Sequence, residues 1–219
     1  MKFELAIFDW NGTLLNDLPI AYQSVIKIFN EFSLPAPSLE EYKNEITADF
    51  MKFYHYHGIP AYVTPELLNS IRVKYFEAHW TEPGLHPGAK DLIEFCKYLG
   101  LQTAIVSAEI ADVLDKRLSG FGIFPFIDRI TGSAYDKPKA LTETLDFFGI
   151  QSEKAFYLDD TFDGLMAAKS VGITAIGFCN GYNSYERIMR AKPDFPNTDF
   201  PEVLTHADVR EIILHRGVR

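Results

Sequence analysis

The chain has 219 residues, 47% of them apolar, enough for a sizeable core built as one domain or as a core with a smaller insertion. Thirty acidic against 21 basic residues give a formal charge of -9, spread along the chain, with no Lys/Arg block to displace counterions from a nucleic acid. No run approaches a membrane span and the start does not read as a signal peptide, so a cytoplasmic protein without a membrane partner is expected. Cys96 and Cys179 read as buried thiols rather than a disulfide.

The first element is an apolar run of Phe3, Leu5, Ala6, Ile7 and Phe8, which reads as a strand. It ends in Asp9-Trp10-Asn11-Gly12-Thr13, a carboxylate at a strand's carboxyl end beside a tight turn. Open α/β sheets place their chemistry at such edges. Residues 18–32 follow with Ile20, Val25, Ile28, Phe29 and Phe32 at helical spacing. Ser38 and Glu41 form a capping-box pattern for the next helix. The stretch to His79 is helical and rich in aromatics, interrupted at Gly58-Ile59-Pro60, and no strand signal falls between residues 15 and 83.

After Glu82-Pro83-Gly84 and Pro87-Gly88 the pattern alternates. Helices are expected at 91–99, 110–118, 138–148 and 165–171, with strands at 101–106, 127–130, 154–158 and 174–178. Short strands alternating with longer helices predict an α/β fold with a Rossmann-like parallel sheet covered on both faces. The helical stretch interrupts that unit as a small inserted cap domain. The expected division is residues 1–14 and 84–219 as core, and 15–83 as cap, with a crevice over the strand ends.

Asp9, Ser107, Lys137 and the cluster Asp159, Asp160 and Asp163 fall at or beside predicted strand ends. Singly, Ser107 and Asp163 read as helix caps and Lys137 as a solvated lysine. Together they change meaning, because parallel strands deliver their ends to one edge. Several carboxylates there repel unless a cation sits among them, and hard oxygen ligands suit Mg²⁺. A carboxylate, a cation, a lysine and a hydroxyl around one point are what phosphoryl transfer uses.

At these residues the chain resembles the haloacid dehalogenase-like superfamily, and within it the phosphoglycolate phosphatase-like members with a helical cap after the first strand. Asp9-Trp10-Asn11-Gly12-Thr13-Leu14 resembles the family's first motif and Ile105-Val106-Ser107-Ala108 its second. Lys137-Pro138 is similar to the third, and Leu158-Asp159-Asp160-Thr161 with Ala167-Ala168 and Gly172 to the fourth. The resemblance implies an Mg²⁺-dependent phosphatase of a small phosphorylated metabolite, working through an aspartyl-phosphate on Asp9. Ser107 and Lys137 would bind the phosphoryl group. Asp9, the Asn11 carbonyl and Asp160 would hold the metal, with Asp163 assisting and Asp159 as the alternative to Asp160. The chain would act as a monomer or homodimer.

Two departures stand out. The family's phosphatases carry an aspartate where this chain has Asn11. An amide cannot act as general acid or base, a loss of about 10²–10⁴-fold, so weak or substrate-restricted activity is expected. In the fourth motif, Gly164 falls where a second aspartate is usual, and Asp163 is the expected substitute. The alternatives are a catalytically impaired phosphate- or metal-binding or regulatory protein, and a dehalogenase-like or phosphonatase-like hydrolase. The last would need Lys52 aimed at Asp9. Tyr22, Lys43, His55, His57, Arg72 and His79 are the remaining cap candidates for substrate contact, with packing or surface roles the blander reading.

Overall fold

Five short parallel strands carry the fold, in the order β5-β4-β1-β6-β7. The computed structural model describes residues 3–194 and 206–217, so the bounds expected at Met1 and Arg219 lie outside the described residues.

In chain order, β1 (Leu5–Phe8) and the two-residue β2 (Leu15–Asn16) precede four helices: α1 (Leu18–Glu31), α2 (Leu39–Glu45), α3 (Phe50–Tyr56) and α4 (Pro65–Ala78). The two-residue β3 (Gly84–Leu85) follows, then α5 (Ala89–Tyr98), β4 (Gln102–Val106), α6 (Ala111–Gly120), β5 (Arg129–Thr131) and α7 (Lys137–Phe148). The chain continues through β6 (Ala155–Asp159), α8 (Phe162–Ser170), β7 (Thr174–Gly177), α9 (Tyr185–Arg190) and α10 (His206–Gly217).

Local signals set many of these bounds. The Ser38 hydroxyl accepts from the Glu41 backbone at 3.2 Å and the Glu41 carboxylate accepts from Ser38 N at 2.7 Å, the reciprocal box that opens α2. Thr64 caps α4 and Pro65 takes its first position, where a missing N–H costs nothing. Asp136 and Thr161 cap α7 and α8. Every residue of β1 and β6 is buried, the continuous run that a sheet covered on both faces requires. The helix pairs α5 with α10 and α7 with α8 pack on that sheet.

Three expectations need correction. Residues 15–83 were to hold no strand, yet Leu15 pairs with Leu85 and Asn16 with Gly84 in an antiparallel strap that closes the chain's exit and return. Two residues are too few to display a period. The strand expected at 127–130 sits at Arg129–Thr131, because a 3₁₀ turn occupies Phe124–Phe126 and the Asp128 carboxylate instead accepts from Thr103 N at 2.8 Å. Finally, α9 and α10 lie beyond the last expected element; Val209, Ile212 and Ile213 of α10 complete the core.

The buried apolar residues form two clusters. One surrounds the sheet; the other, drawn from residues 18–68, joins Leu18, Val25, Ile28, Phe29, Tyr42, Phe53, Tyr54 and Leu68. A hydrogen-bonded seam links them. Ser184 N donates to Lys43 O at 3.1 Å, and Arg187 Nη1 donates to Asn44 O at 2.5 Å.

Candidate active site

Register brings the strand ends together. Phe8 is level with Ile105 on one side and Leu158 on the other, so Asp9, Ser107, Asp159 and Asp160 emerge at one carboxyl edge. The chain builds outward from β1 to β4 and β5, then returns to add β6 and β7, and such a reversal opens a crevice at that edge.

Lys137, first residue of α7, reaches into this edge. Its Nζ donates to Asp9 Oδ1 at 3.0 Å and to Asp159 Oδ2 at 2.6 Å. Burial alone would lower its pKa, but Asp159 and Asp9 outweigh that and raise it, so the ammonium stays charged. The Tyr157 hydroxyl adds contacts to Asp9 Oδ1 at 3.5 Å and to Val106 O at 3.2 Å.

Asp160 sits beside them. It accepts from the Thr13 hydroxyl at 2.7 Å and from Tyr182 N at 2.6 Å. Gly12 lies against it with φ of 76°; a Cβ there would strike the Asp160 carboxylate, so both backbone and space demand glycine. Asp9, Asp159 and Asp160 are all buried and offer oxygens within 4.8 Å of one another. One ammonium faces three acids. Burial, then the neighbouring carboxylates, raise Asp160, while burial lifts Asp9 to about 7 against the pull of Lys137. A hard divalent cation fits this donor set, since it would supply the missing positive charge.

Asp163 does not join them. Its carboxylate accepts from Ala48 N at 2.8 Å, in the α2–α3 connection, while the residue lines the same cavity as Asp9. Asp163 thus stitches the sheet to the helical layer. Gly164 leaves the room that Asp159 occupies: a side chain at 164 would overlap the Asp159 carboxylate. An acid at 164 and an acid at 159 exclude each other, and this chain has the second.

Asn11 stands apart from that cluster. Its Nδ2 donates to Asp17 Oδ2 at 2.8 Å and to Glu109 Oε2 at 3.3 Å, so the two amide hydrogens go to two carboxylates. Its Oδ1 lies 3.5 Å from the Ser107 hydroxyl. Asp17 precedes α1 but leaves that helix uncapped. It accepts instead from Gly12 N at 2.9 Å and from the Tyr182 hydroxyl at 3.1 Å. Burial raises its pKa, with these donors opposing. An aspartate at 11 would meet two like charges here. Sequence reading missed Asp17, Glu109, Tyr157 and Tyr182 because each acts through a neighbour; only Asp17, six residues from Asn11 in one turn, left a local signal.

The three cap histidines have local partners. His55 bonds Ile59 O at 3.0 Å, His57 bonds Glu45 at 2.6 Å and His79 bonds Tyr75 O at 2.7 Å. Lys52 pairs with Asp49 and its side chain is 79% exposed, which removes the lysine that a phosphonatase-like site would need. His86 is buried and donates from Nε2 to Gly12 O at 3.1 Å, tying the return strap to the nucleophile loop. Cys96 and Cys179 are both buried and not joined in a disulfide.

A family model for haloacid dehalogenase-like hydrolases matches residues 6–178. The phosphoglycolate phosphatase of Pasteurella multocida is 27% identical over 93% of this chain and 98% of its own length; that of Mannheimia succiniciproducens is 26% identical over 93% and 97%. A crystal structure of a predicted phosphatase from Clostridium acetobutylicum superposes with a TM-score of 0.77 at 20% identity, covering 98% of this chain and all of that one. A haloacid dehalogenase-like family hydrolase from Streptococcus pneumoniae gives 0.69 at 19% identity over 88% and 92%. At those identities the two structures speak for the fold. Among the described residues no helix is long and apolar enough to cross a membrane.

Proposed function

The chain belongs to the haloacid dehalogenase-like hydrolase family, and from that premise we propose that it is an Mg²⁺-dependent phosphatase of a small phosphorylated metabolite, acting in the cytoplasm through an aspartyl-phosphate. Residues 15–83 serve as its cap. The observation that carries this reading is Lys137 held between Asp9 and Asp159, with Asp160 alongside, at the carboxyl end of the central strand.

Lys137 and Tyr157 both meet Asp9 at Oδ1, which leaves Oδ2 to attack phosphorus. The attack forms the aspartyl-phosphate and breaks the ester P–O bond. Ser107 and Lys137 bind phosphoryl oxygens, a task their positions at the floor of the cavity suit. A cation held by Asp9, Asp160 and the Asn11 carbonyl, with Asp159 behind them, would neutralise charge on the phosphoryl group. Water then attacks phosphorus and releases Asp9.

Asn11 orients without moving a proton. Its amide hydrogens are committed to Asp17 and Glu109, so the departing oxygen leaves unassisted by residue 11. Esters of acidic alcohols and acyl phosphates tolerate that best.

The test is hydrolysis of an activated aryl phosphate with and without Mg²⁺, with Asp9→Asn as control. Metal-dependent turnover lost in the variant supports the proposal. A folded wild-type protein that binds phosphate without turning over any ester would mark a binding or regulatory protein instead.

A further inference from the structure

The cavity over Asp9 is larger than a phosphoryl group with a short tail requires. It measures about 670 Å³, a size found in sites that enclose whole drug-sized ligands. Asp9, Asn11, Ser107 and Lys137 line it on the sheet side. On the helical side its wall includes Val25 and Ile28 of α1, the Tyr54 ring and Leu68, all buried in the second apolar cluster. Such a wall favours an apolar or aromatic body over a hydrated one.

Two polar side chains on α4 line the same cavity, Asn69 and Arg72, spaced i and i+3 and so on one helix face. Among the described lining residues, Arg72 is the helical layer's cation and Lys137 the sheet's. Their situations differ. Lys137 is engaged by Asp9 and Asp159. Arg72 has no carboxylate within ion-pair distance among the described residues and rests 5.5 Å over the Phe76 ring. Burial raises the phenols of Tyr42, Tyr54 and Tyr182, and the charge of Arg72 opposes that rise in all three, so its field reaches the cavity wall.

We propose that the substrate is a phosphate monoester with an extended apolar or aromatic body and a second anionic group, the phosphoryl end at Asp9 and the second anion on Arg72. This rests on the phosphatase reading above. The planar guanidinium fork matches a carboxylate or a second phosphate in two parallel hydrogen bonds, and Asn69 offers amide donors beside it. A two-carbon phosphate ester would leave most of the cavity to water.

The experiment compares kcat/KM across aryl phosphates of increasing length, each with and without a terminal carboxylate, together with 2-phosphoglycolate. Wild type, Arg72→Met and Arg72→Lys are assayed; residue 72 is exposed, so the variants should fold. The expected result is that a long carboxylated member is the best substrate. In Arg72→Met its advantage over the uncarboxylated partner should shrink about tenfold to a hundredfold, through KM, as expected for one charge-assisted contact. Arg72→Lys should restore part of it. An equal advantage in all three proteins, or 2-phosphoglycolate as the preferred substrate, overturns this inference and leaves the phosphatase reading standing. Hydrolysis of no member by folded wild type overturns both.

Discussion

Two groups of acids stand side by side at the carboxyl edge of the sheet, and the residue at the centre of each differs in kind. Asp9 and Asp159 converge on the ammonium of Lys137, with Asp160 alongside. Asp17 and Glu109 converge on the neutral amide of Asn11. The first group is short of positive charge and fits a cation. The second is tied by donors from Gly12 N, the Tyr182 hydroxyl and both Asn11 hydrogens. An asparagine in the place of a family acid therefore reads as matched to its neighbours, because an acid there would face two others.

The contrast can be broken most severely at Asp9. Asp9→Asn should abolish turnover while the protein stays folded, checked by aryl phosphate hydrolysis and circular dichroism. Lys137→Met comes next. Removing one partner of a buried ionic group costs about 3–5 kcal/mol, and Mg²⁺ should recover more stability in the variant than in wild type, read as the rise in Tm with metal. Asn11→Asp should lose about 1–3 kcal/mol through unpaired buried charge and give no gain in turnover. Pairing it with Asp17→Ser should recover stability; a single Asn11→Asp variant with faster turnover would contradict the matched pair.

A pH series samples a site outside both groups. His206 is buried against Phe178 and burial lowers its pKa to about 4 from 6.5. The unfolded chain binds this proton first, so stability should fall as pH drops below about 6.5 toward 4. His206→Phe should flatten that slope in urea unfolding. The smallest effect belongs to Asp163→Ala, which loses one stitch to Ala48 N worth about 0.5–1.5 kcal/mol. Its Mg²⁺ affinity should match wild type, whereas a clear loss would return Asp163 to the metal site.

Much of this edge was legible in advance. A carboxylate ending an apolar run, a capping box and alternating strands and helices are local patterns, and they located Asp9, Ser107, Lys137 and Asp160 before any contact was known. How Asp159 and Asp163 are placed around Asp160 was not. Residue 159 ends a strand, while residue 163 opens a helix that turns roughly 100° per residue, so which one faces the edge depends on how α8 docks. In the fold Asp159 lies against Gly164 at the edge, and Asp163 reaches Ala48 N. The strap joining Leu15 to Leu85 was equally hidden, since its halves are two residues long and lie on either side of the four cap helices.

The sequence by itself determined the alternating fold, the inserted helical stretch and the residues delivered to the sheet's edge, because periodicity and turn chemistry act over a few neighbouring residues. Only the tertiary structure decided which acids meet, that Asn11 is held between Asp17 and Glu109, and that Arg72 shares a cavity with Asp9. Those contacts join positions as far apart as Asp9 and Asp160, and the direction of a side chain across such a gap is fixed by packing alone.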